Sequence, residues 1–233
     1  MKIYAHRGYS GRYLENTMEA FIAADLIGAD GIELDVRLSR DGQVVIFHDP
    51  TLRRVGAWYG SVNRKSLNTL RRIPMVYNQR NYFIPTLDDF LFWFAQTDIV
   101  VNIELKTEVS YDLGLEKKVL DWLQHYEVED RVFFSSFNQA SIKRMKQLAP
   151  AIPAGLLVKK ATKRTIQRAK EFKLEYYHPS YRYLTKDLVD FAHAQNLKVN
   201  TWTVNQAEAM EKMKVIGVDG VITNYPNIAL EMK

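Results

Sequence analysis

Cysteine is absent from the 233 residues. Disulfides, thiolate metal sites and a cysteine nucleophile are thereby excluded, and the absence fits a reducing compartment. Long apolar runs are missing too: none reaches the roughly 18 residues that a membrane span needs, so no stable membrane insertion is expected. The opening run Met1-Lys2-Ile3-Tyr4-Ala5-His6 enters a strand-like stretch at once. It lacks the apolar core, roughly 7–15 residues long, of a secretory signal. These absences lead to the expectation of a cytoplasmic protein. No Pro/Gly/Ser-rich linker divides the chain, no close repeat is found, and no Gly-x-Ser-x-Gly elbow surrounds Ser135 and Ser136, which removes a serine hydrolase from consideration.

Charge of one sign is also scarce. The net charge is +5, from 32 basic and 27 acidic residues, and no block of like charges reads as a basic tail. The excess suits an anionic substrate but is too small to carry nucleic-acid binding. Arg53, Arg54, Arg64, Lys65, Arg71 and Arg72 do gather in one segment, with Trp58 and Tyr59 among them. They read first as a solvated loop and helix face.

What is present is a regular alternation of strand-like and helix-like stretches. Strands are expected at Ile3–His6, Gly31–Val36, Ile99–Leu105, Val132–Ser136, Ala154–Val158, Glu175–His178, Lys198–Val204 and Val218–Thr223. Helices are expected at Asn16–Ile27, Thr86–Ala95, Leu113–His125, Gln139–Leu148, Thr162–Phe172, Thr185–Ala194 and Gln206–Met213. Asn16 with Glu19 forms a candidate capping box, and Gly28 stands where a helix C-cap belongs. Between Leu38 and Phe47, Asp41-Gly42 favours a tight primed turn. The resulting hairpin returns antiparallel, outside the parallel set, and brings His48 back to the strand ends. Eight strands in βα alternation point to a (β/α)8 TIM barrel, for which the length is suitable, with an open doubly wound sheet as the alternative. The expectation is one barrel over residues 1–233, with 50–84 as a small insertion.

In such a barrel the chemistry sits at the C-terminal strand ends. His6 and Arg7 end the first strand. Glu33 and Asp35 stand two apart on the second, so both face one side. Glu104 and Lys106 repeat that spacing on the third. Singly, each has an ordinary explanation: a structural histidine, or carboxylates paired with Arg37 or Lys106. Converging, three carboxylates repel one another unless a cation joins them, and oxygen-only ligation favours magnesium, calcium or manganese over zinc.

The runs His6-Arg7-Gly8, Glu15-Asn16-Thr17, Gly28-Ala29-Asp30-Gly31-Ile32-Glu33-Leu34-Asp35-Val36, Asp41-Gly42 and His48-Asp49 resemble the glycerophosphodiester phosphodiesterases. So do Asn102-Ile103-Glu104-Leu105-Lys106, Ser135-Ser136-Phe137, Thr201-Trp202-Thr203-Val204-Asn205 and Gly220-Val221-Ile222-Thr223-Asn224-Tyr225-Pro226. The resemblance spans nearly the whole chain in order. It implies a barrel with an inserted segment after His48-Asp49, and hydrolysis of a glycerophosphodiester to glycerol 3-phosphate and an alcohol, a step in glycerol and lipid metabolism. It implies Glu33, Asp35 and Glu104 as ligands of one divalent cation, His6 and His48 as acid and base, and Arg7 and Lys106 on the phosphate. It implies attack of the glycerol 2-hydroxyl on phosphorus, a cyclic phosphate, and its opening by water. Two positions depart from the family pattern. Leu14 replaces a proline, which leaves the loop less rigid. Asn224 replaces an aspartate, which keeps hydrogen bonding without the charge, with a minor effect expected.

Trp202 and Phe137 end later strands and are candidates to line the mouth beside the glycerol or alcohol group. Trp58, Tyr59, Tyr82 and Phe83 are candidates to cover a choline head by cation–π attraction, or to form a small core of their own. His178 reads as a satisfied structural histidine, and His125 and His193 as surface residues. The partner is a small-molecule substrate rather than nucleic acid, and the sequence leaves the oligomeric state open. Two further readings stand beside the diesterase: a lysophospholipase D-like hydrolase using the same groups, and a catalytically silent barrel that binds.

Overall fold

Strand polarity and register decide where every polar residue of interest ends up. The computed structural model describes residues 1–56, 59–107 and 114–233. Its strands are β1 (Lys2–His6), β2 (Gly31–Leu38), β3 (Val44–Ile46), β4 (Met75–Tyr77), β5 (Arg80–Tyr82), β6 (Val100–Leu105), β7 (Val132–Ser136), β8 (Ala154–Val158), β9 (Tyr176–Pro179), β10 (Lys198–Thr201) and β11 (Gly220–Thr223). Eight of them, β1, β2 and β6 to β11, pair in parallel in chain order, and the β1–β2 pairing closes the ring. The (β/α)8 barrel expected from the alternation is what forms, and the open sheet is excluded by that closure.

The helices are α1 (Met18–Leu26), α2 (Arg53–Gly56), α3 (Leu67–Leu70), α4 (Leu87–Phe94), α5 (Leu115–Tyr126), α6 (Gln139–Leu148), α7 (Lys163–Glu171), α8 (Lys186–His193), α9 (Ala207–Val215) and α10 (Pro226–Glu231). Most outer helices begin on an oxygen-bearing cap: Thr17, Thr86, Asn138, Thr162 and Thr185 each accept from a first-turn amide. Asn16 does not cap α1 as its spacing suggested; Thr17 does, while Asn16 takes a left-handed backbone (φ 56°) and turns inward. Asparagine tolerates that conformation, and its amide found stronger partners there. Gly28 follows α1 with φ 81°, as a C-terminal stop requires. The final helix, α10, was not anticipated; Pro226 opens it, where a missing amide costs nothing.

The hairpin is present, with Val36, Arg37 and Leu38 opposite Ile46, Val45 and Val44. Its turn is wider than a primed two-residue one. Gly42 donates to Ser39 O, Ser39 donates to Gln43 O, and Gly42 takes φ 72°. Segment 50–84 carries α2, α3 and the β4–β5 hairpin around a small core of its own, in which Leu52, Val62, Leu70, Ile73, Met75 and Tyr82 meet Leu14 and Phe47 from the barrel side. Tyr82 is thus a packing residue, Tyr59 and Phe83 are exposed, and Trp58 lies outside the described residues. Leu14, where the family pattern has proline, packs its side chain into this second core. The start of the helix expected at 113 also lies outside the described residues. No helix among those described is long and apolar enough to cross a membrane.

Inside the barrel, bulk and its absence alternate. Tyr4, Phe133 and Ile222 pack together with Tyr176 and Trp202. Glycines face them: a Cβ on Gly31 would lie 2.6 Å from the Tyr4 ring and 2.9 Å from Val100 O, and one on Gly220 would lie 2.5 Å from Asn200 Oδ1. Gly31→Ala therefore forces a backbone contact that no rotamer relieves. It is expected to destabilise the protein by about 1–3 kcal/mol, read as a lowered denaturant midpoint; an unchanged midpoint would show that the barrel wall yields at this point.

Candidate active site

Register between neighbouring strands assembles the acidic cluster. His6 on β1 lies opposite Glu33 on β2, Asp35 lies opposite Glu104 on β6, and Glu104 lies opposite Ser135 on β7. The i, i+2 spacing on β2 then turns both acids inward. Carboxylate oxygens of Glu33, Asp35 and Glu104 lie within 4.8 Å of one another, and all three residues are buried. The hairpin supplies the other histidine. Phe47 N donates to Asp35 O (2.9 Å) and Arg37 Nε donates to His48 O (2.8 Å), which fixes the returning chain at the rim. Arg37, considered as a partner for the acids, makes this backbone contact.

All eight residues singled out in the sequence are brought together. His6, Arg7, Glu33, His48, Glu104 and Trp202 line one cleft that opens to solvent. Asp35 and Lys106 sit directly behind it, buried: Lys106 Nζ donates to Glu104 Oε1 (2.7 Å) and lies 3.6 Å from Asp35 Oδ1. Arg7 adopts φ 57° and its amide donates to Glu33 Oε2 (3.0 Å). Its guanidinium is held between Glu15 (2.7 Å) and Asp35 (3.2 Å). Asn16, turned inward, donates to Asp35 Oδ2 (2.8 Å) and accepts from Asp35 N (3.3 Å). Trp202 Nε1 donates to His178 O, and its ring meets the edge of Phe137 at 5.4 Å. Phe137 also lines the cleft.

Burial makes these charges interdependent. Burial, then Asp35 and Glu104, push Glu33 well above the usual carboxylate range. Glu104 is pushed up to about 7 by burial and by Asp35. Burial acts on Asp35 in the same direction, but Arg7 and Lys106 more than offset it and keep Asp35 ionised. Asp35 Oδ1 is buried with no hydrogen-bond partner among the described residues. Three carboxylates against two touching cations leave an acid too many. A set of oxygens at this mutual distance can all reach one hard ion at roughly 2.0–2.6 Å, so the residues present fit a divalent cation.

Both histidines are neutral near pH 7, for the converse reason. Burial, then the Arg7 cation, take His6 down to about 3. Burial lowers His48 as well, with Arg7 and Lys106 adding to it and Asp35 opposing. His6 Nδ1 meets Asn224 Oδ1 at 2.6 Å, and His48 Nδ1 meets Asp49 Oδ1 at 2.7 Å. An oxygen acceptor at Nδ1 fixes the proton there and leaves Nε2 as the free nitrogen; for His6 it lies 3.9 Å from Glu33 Oε2.

Several site residues escaped sequence reasoning. Arg54 donates to Glu15 (2.6 and 2.8 Å) and to Asp49 (2.6 Å). One guanidinium therefore braces the acid behind Arg7 and the acid behind His48. Its neighbours in the basic run look alike, and only the presence of Glu15 and Asp49 in the quoted motifs hinted at a partner. Asn224 was given a minor place, yet it touches His6 directly. His178 is buried but not satisfied: neither ring nitrogen has a hydrogen-bond partner among the described residues, and its ring packs edge-on against Phe133 and Tyr176. Ser136 Oγ is spent on Leu105 O (2.8 Å), and Ser135 Oγ is buried, in agreement with setting aside a serine nucleophile. His125 is exposed, and His193 bonds Asp219 at the surface.

Comparison with known proteins bears on the family and the fold. The model of the glycerophosphoryl diester phosphodiesterase family matches residues 6–228. A glycerophosphodiester phosphodiesterase of Bacillus altitudinis is 35% identical, covering 100% of this chain and 98% of its own. One from Caldanaerobacter subterraneus is also 35% identical, covering 99% of this chain and 96% of its own. Among solved structures, an Oleispira antarctica phosphodiesterase in complex with the product sn-glycerol-3-phosphate superposes with a TM-score of 0.90 at 29% identity, over 99% of this chain and 96% of that one. A putative glycerophosphoryl diester phosphodiesterase of Silicibacter pomeroyi superposes at 0.91 with 23% identity, over 100% and 94%, which speaks for the fold.

Asn224→Asp places a carboxylate against the His6 imidazole and favours its charged form. The His6 pKa is expected to move upward from about 3, followed by NMR titration of the ring; no movement would mean that the pairing at Nδ1 does not set the protonation of His6.

Proposed function

The chain belongs to the glycerophosphoryl diester phosphodiesterase family, and from that premise we propose that it hydrolyses glycerophosphodiesters to sn-glycerol 3-phosphate and an alcohol, with His6 and His48 as the acid–base pair. The observation that carries this reading is the pairing of two neutral imidazoles, each tied at Nδ1, with a buried three-carboxylate cluster in one cleft. Glu33, Asp35 and Glu104 would hold one divalent cation, magnesium or calcium foremost and manganese as a further candidate, which when bound supplies Lewis-acid charge at a substrate oxygen.

The remaining chemistry falls to the chain's own groups. A phosphodiester is anionic and repels a nucleophile, so its oxygens need positive charge first. Arg7 is held by Glu15 and Asp35 with its planar fork at the cleft, suited to phosphate oxygens. Lys106 adds charge from behind Glu104. The glycerol 2-hydroxyl then attacks phosphorus while the free nitrogen of one histidine takes its proton. The other histidine, protonated in the substrate complex, gives a proton to the departing alcohol. The cyclic phosphate formed is opened by water with the two roles exchanged. Trp202 and Phe137 flank the organic part of the substrate.

Purified, chelator-stripped protein is expected to release glycerol 3-phosphate from glycerophosphocholine or glycerophosphoethanolamine only when magnesium, calcium or manganese is returned. No release with any of the three, from folded protein, would sink the reading. In the same assay His6→Ala and His48→Ala should each lower turnover by about 10²–10⁴. A substrate lacking the 2-hydroxyl separates the cyclic route from direct attack by water: undiminished turnover on it would rule the cyclic route out.

A further inference from the structure

Besides the basic residues of segment 50–84, positive charge gathers in a second stretch. Between Lys159 and Lys173 stand seven basic residues and one acidic residue, Glu171, in a chain whose net charge is +5. Four of the seven, Lys159, Lys160, Lys163 and Arg164, directly follow the C-terminal end of β8 at Val158. They therefore lie on the end of the barrel where the cleft opens. Arg182, after the end of β9, joins them on the next loop. All five are exposed, and none has an acidic partner within salt-bridge distance among the described residues.

Local energetics oppose this placement. A helix N-terminus carries partial positive charge, and anions, not cations, are favoured there. Yet α7 opens with Lys163 and Arg164, and no acid stands in its first turn. The chain accepts a destabilising arrangement that an external anion would relieve.

Exposed aromatics share the same end. Tyr183 is 53% exposed after β9, Tyr225 is 38% exposed after β11, and Phe137 is 36% exposed after β7. Lys160 lies 6.0 Å over the Tyr183 ring, and Lys163 lies 5.3 Å over Phe191. The loops after β7, β8, β9 and β11 all leave the C-terminal end of the parallel strands. Cations and amphipathic rings on one end of the barrel match an anionic bilayer, where tyrosine settles at the headgroup level and lysine and arginine meet lipid phosphates. Arg12, on the loop after β1, is a further exposed cation of this end with no acidic partner among the described residues, so the charge is spread over the rim, as contact with a planar surface requires, rather than along the single track that a nucleic-acid strand would need.

We propose that the loops after β8 and β9 form a docking surface for anionic lipid bilayers, which turns the cleft towards the membrane. The placement needs only the strand polarity of the barrel, so its failure leaves the reading of the cleft intact, and the reverse also holds.

The test is sedimentation with vesicles of phosphatidylcholine alone or mixed with phosphatidylglycerol. The protein is expected to bind the mixed vesicles and not the neutral ones, more weakly as salt rises. Combined Lys159→Ser, Lys160→Ser, Lys163→Ser and Arg164→Ser should weaken that binding at least about tenfold, with melting and turnover of soluble glycerophosphocholine unchanged. Tyr183→Ser, on the neighbouring loop, should weaken it independently. Equal binding to both vesicles, no binding to either, full binding by both variants, or tighter binding to duplex DNA at the same ionic strength would each overturn the proposal.

Discussion

Three carboxyl groups held out of water within 4.8 Å of one another are the constraint around which the site is organised. Their mutual repulsion in a medium of low dielectric is large, so compensating charge must be built in. Arg7 and Lys106 supply part of it by touching Asp35 and Glu104. Arg7 also helps hold both imidazoles neutral, and Lys106 acts with it on His48. Charge balance for the acids and base strength for the histidines are thus one arrangement viewed from two sides. A change that relaxed either would disturb the other.

The barrel makes this arrangement from very local rules. A two-residue spacing turns Glu33 and Asp35 inward, and parallel register sets Asp35 against Glu104 and His6 against Glu33. Below them, glycine opposite tyrosine fixes how tightly the wall closes. Arg7 and Asn16 then leave the ordinary backbone range at the loop that follows β1. One turns its amide to Glu33 and the other clasps Asp35 by both main chain and side chain. The loop is shaped by the acids it serves.

That division explains what could be read in advance. Strand and helix order, the hairpin and the seven polar residues of the site were legible because each rests on spacing along the chain. Asn16 was misassigned to a helix cap because its true partner, Asp35, is 19 residues away. Arg54 looked like any solvated arginine because its two acids lie on other loops. Asn224 was underrated because nothing in its own strand reveals that it ends against His6, 218 positions earlier. The unsatisfied His178 could not be foreseen, since burial without partners is a property of the packed interior.

Segment 50–84 shares its small core with Leu14 and Phe47, and through Arg54 it braces Glu15 and Asp49. It therefore holds in register two acids that orient groups in the cleft, although it contributes no strand to the barrel. Domains open piecemeal, and units with small cores open at lower free energy than the whole. A molecule in which this segment has come away would keep every barrel strand and still lose the orientation of Arg7 and His48. Thermal inactivation governed by such a sub-global opening would set in while the barrel itself is still folded.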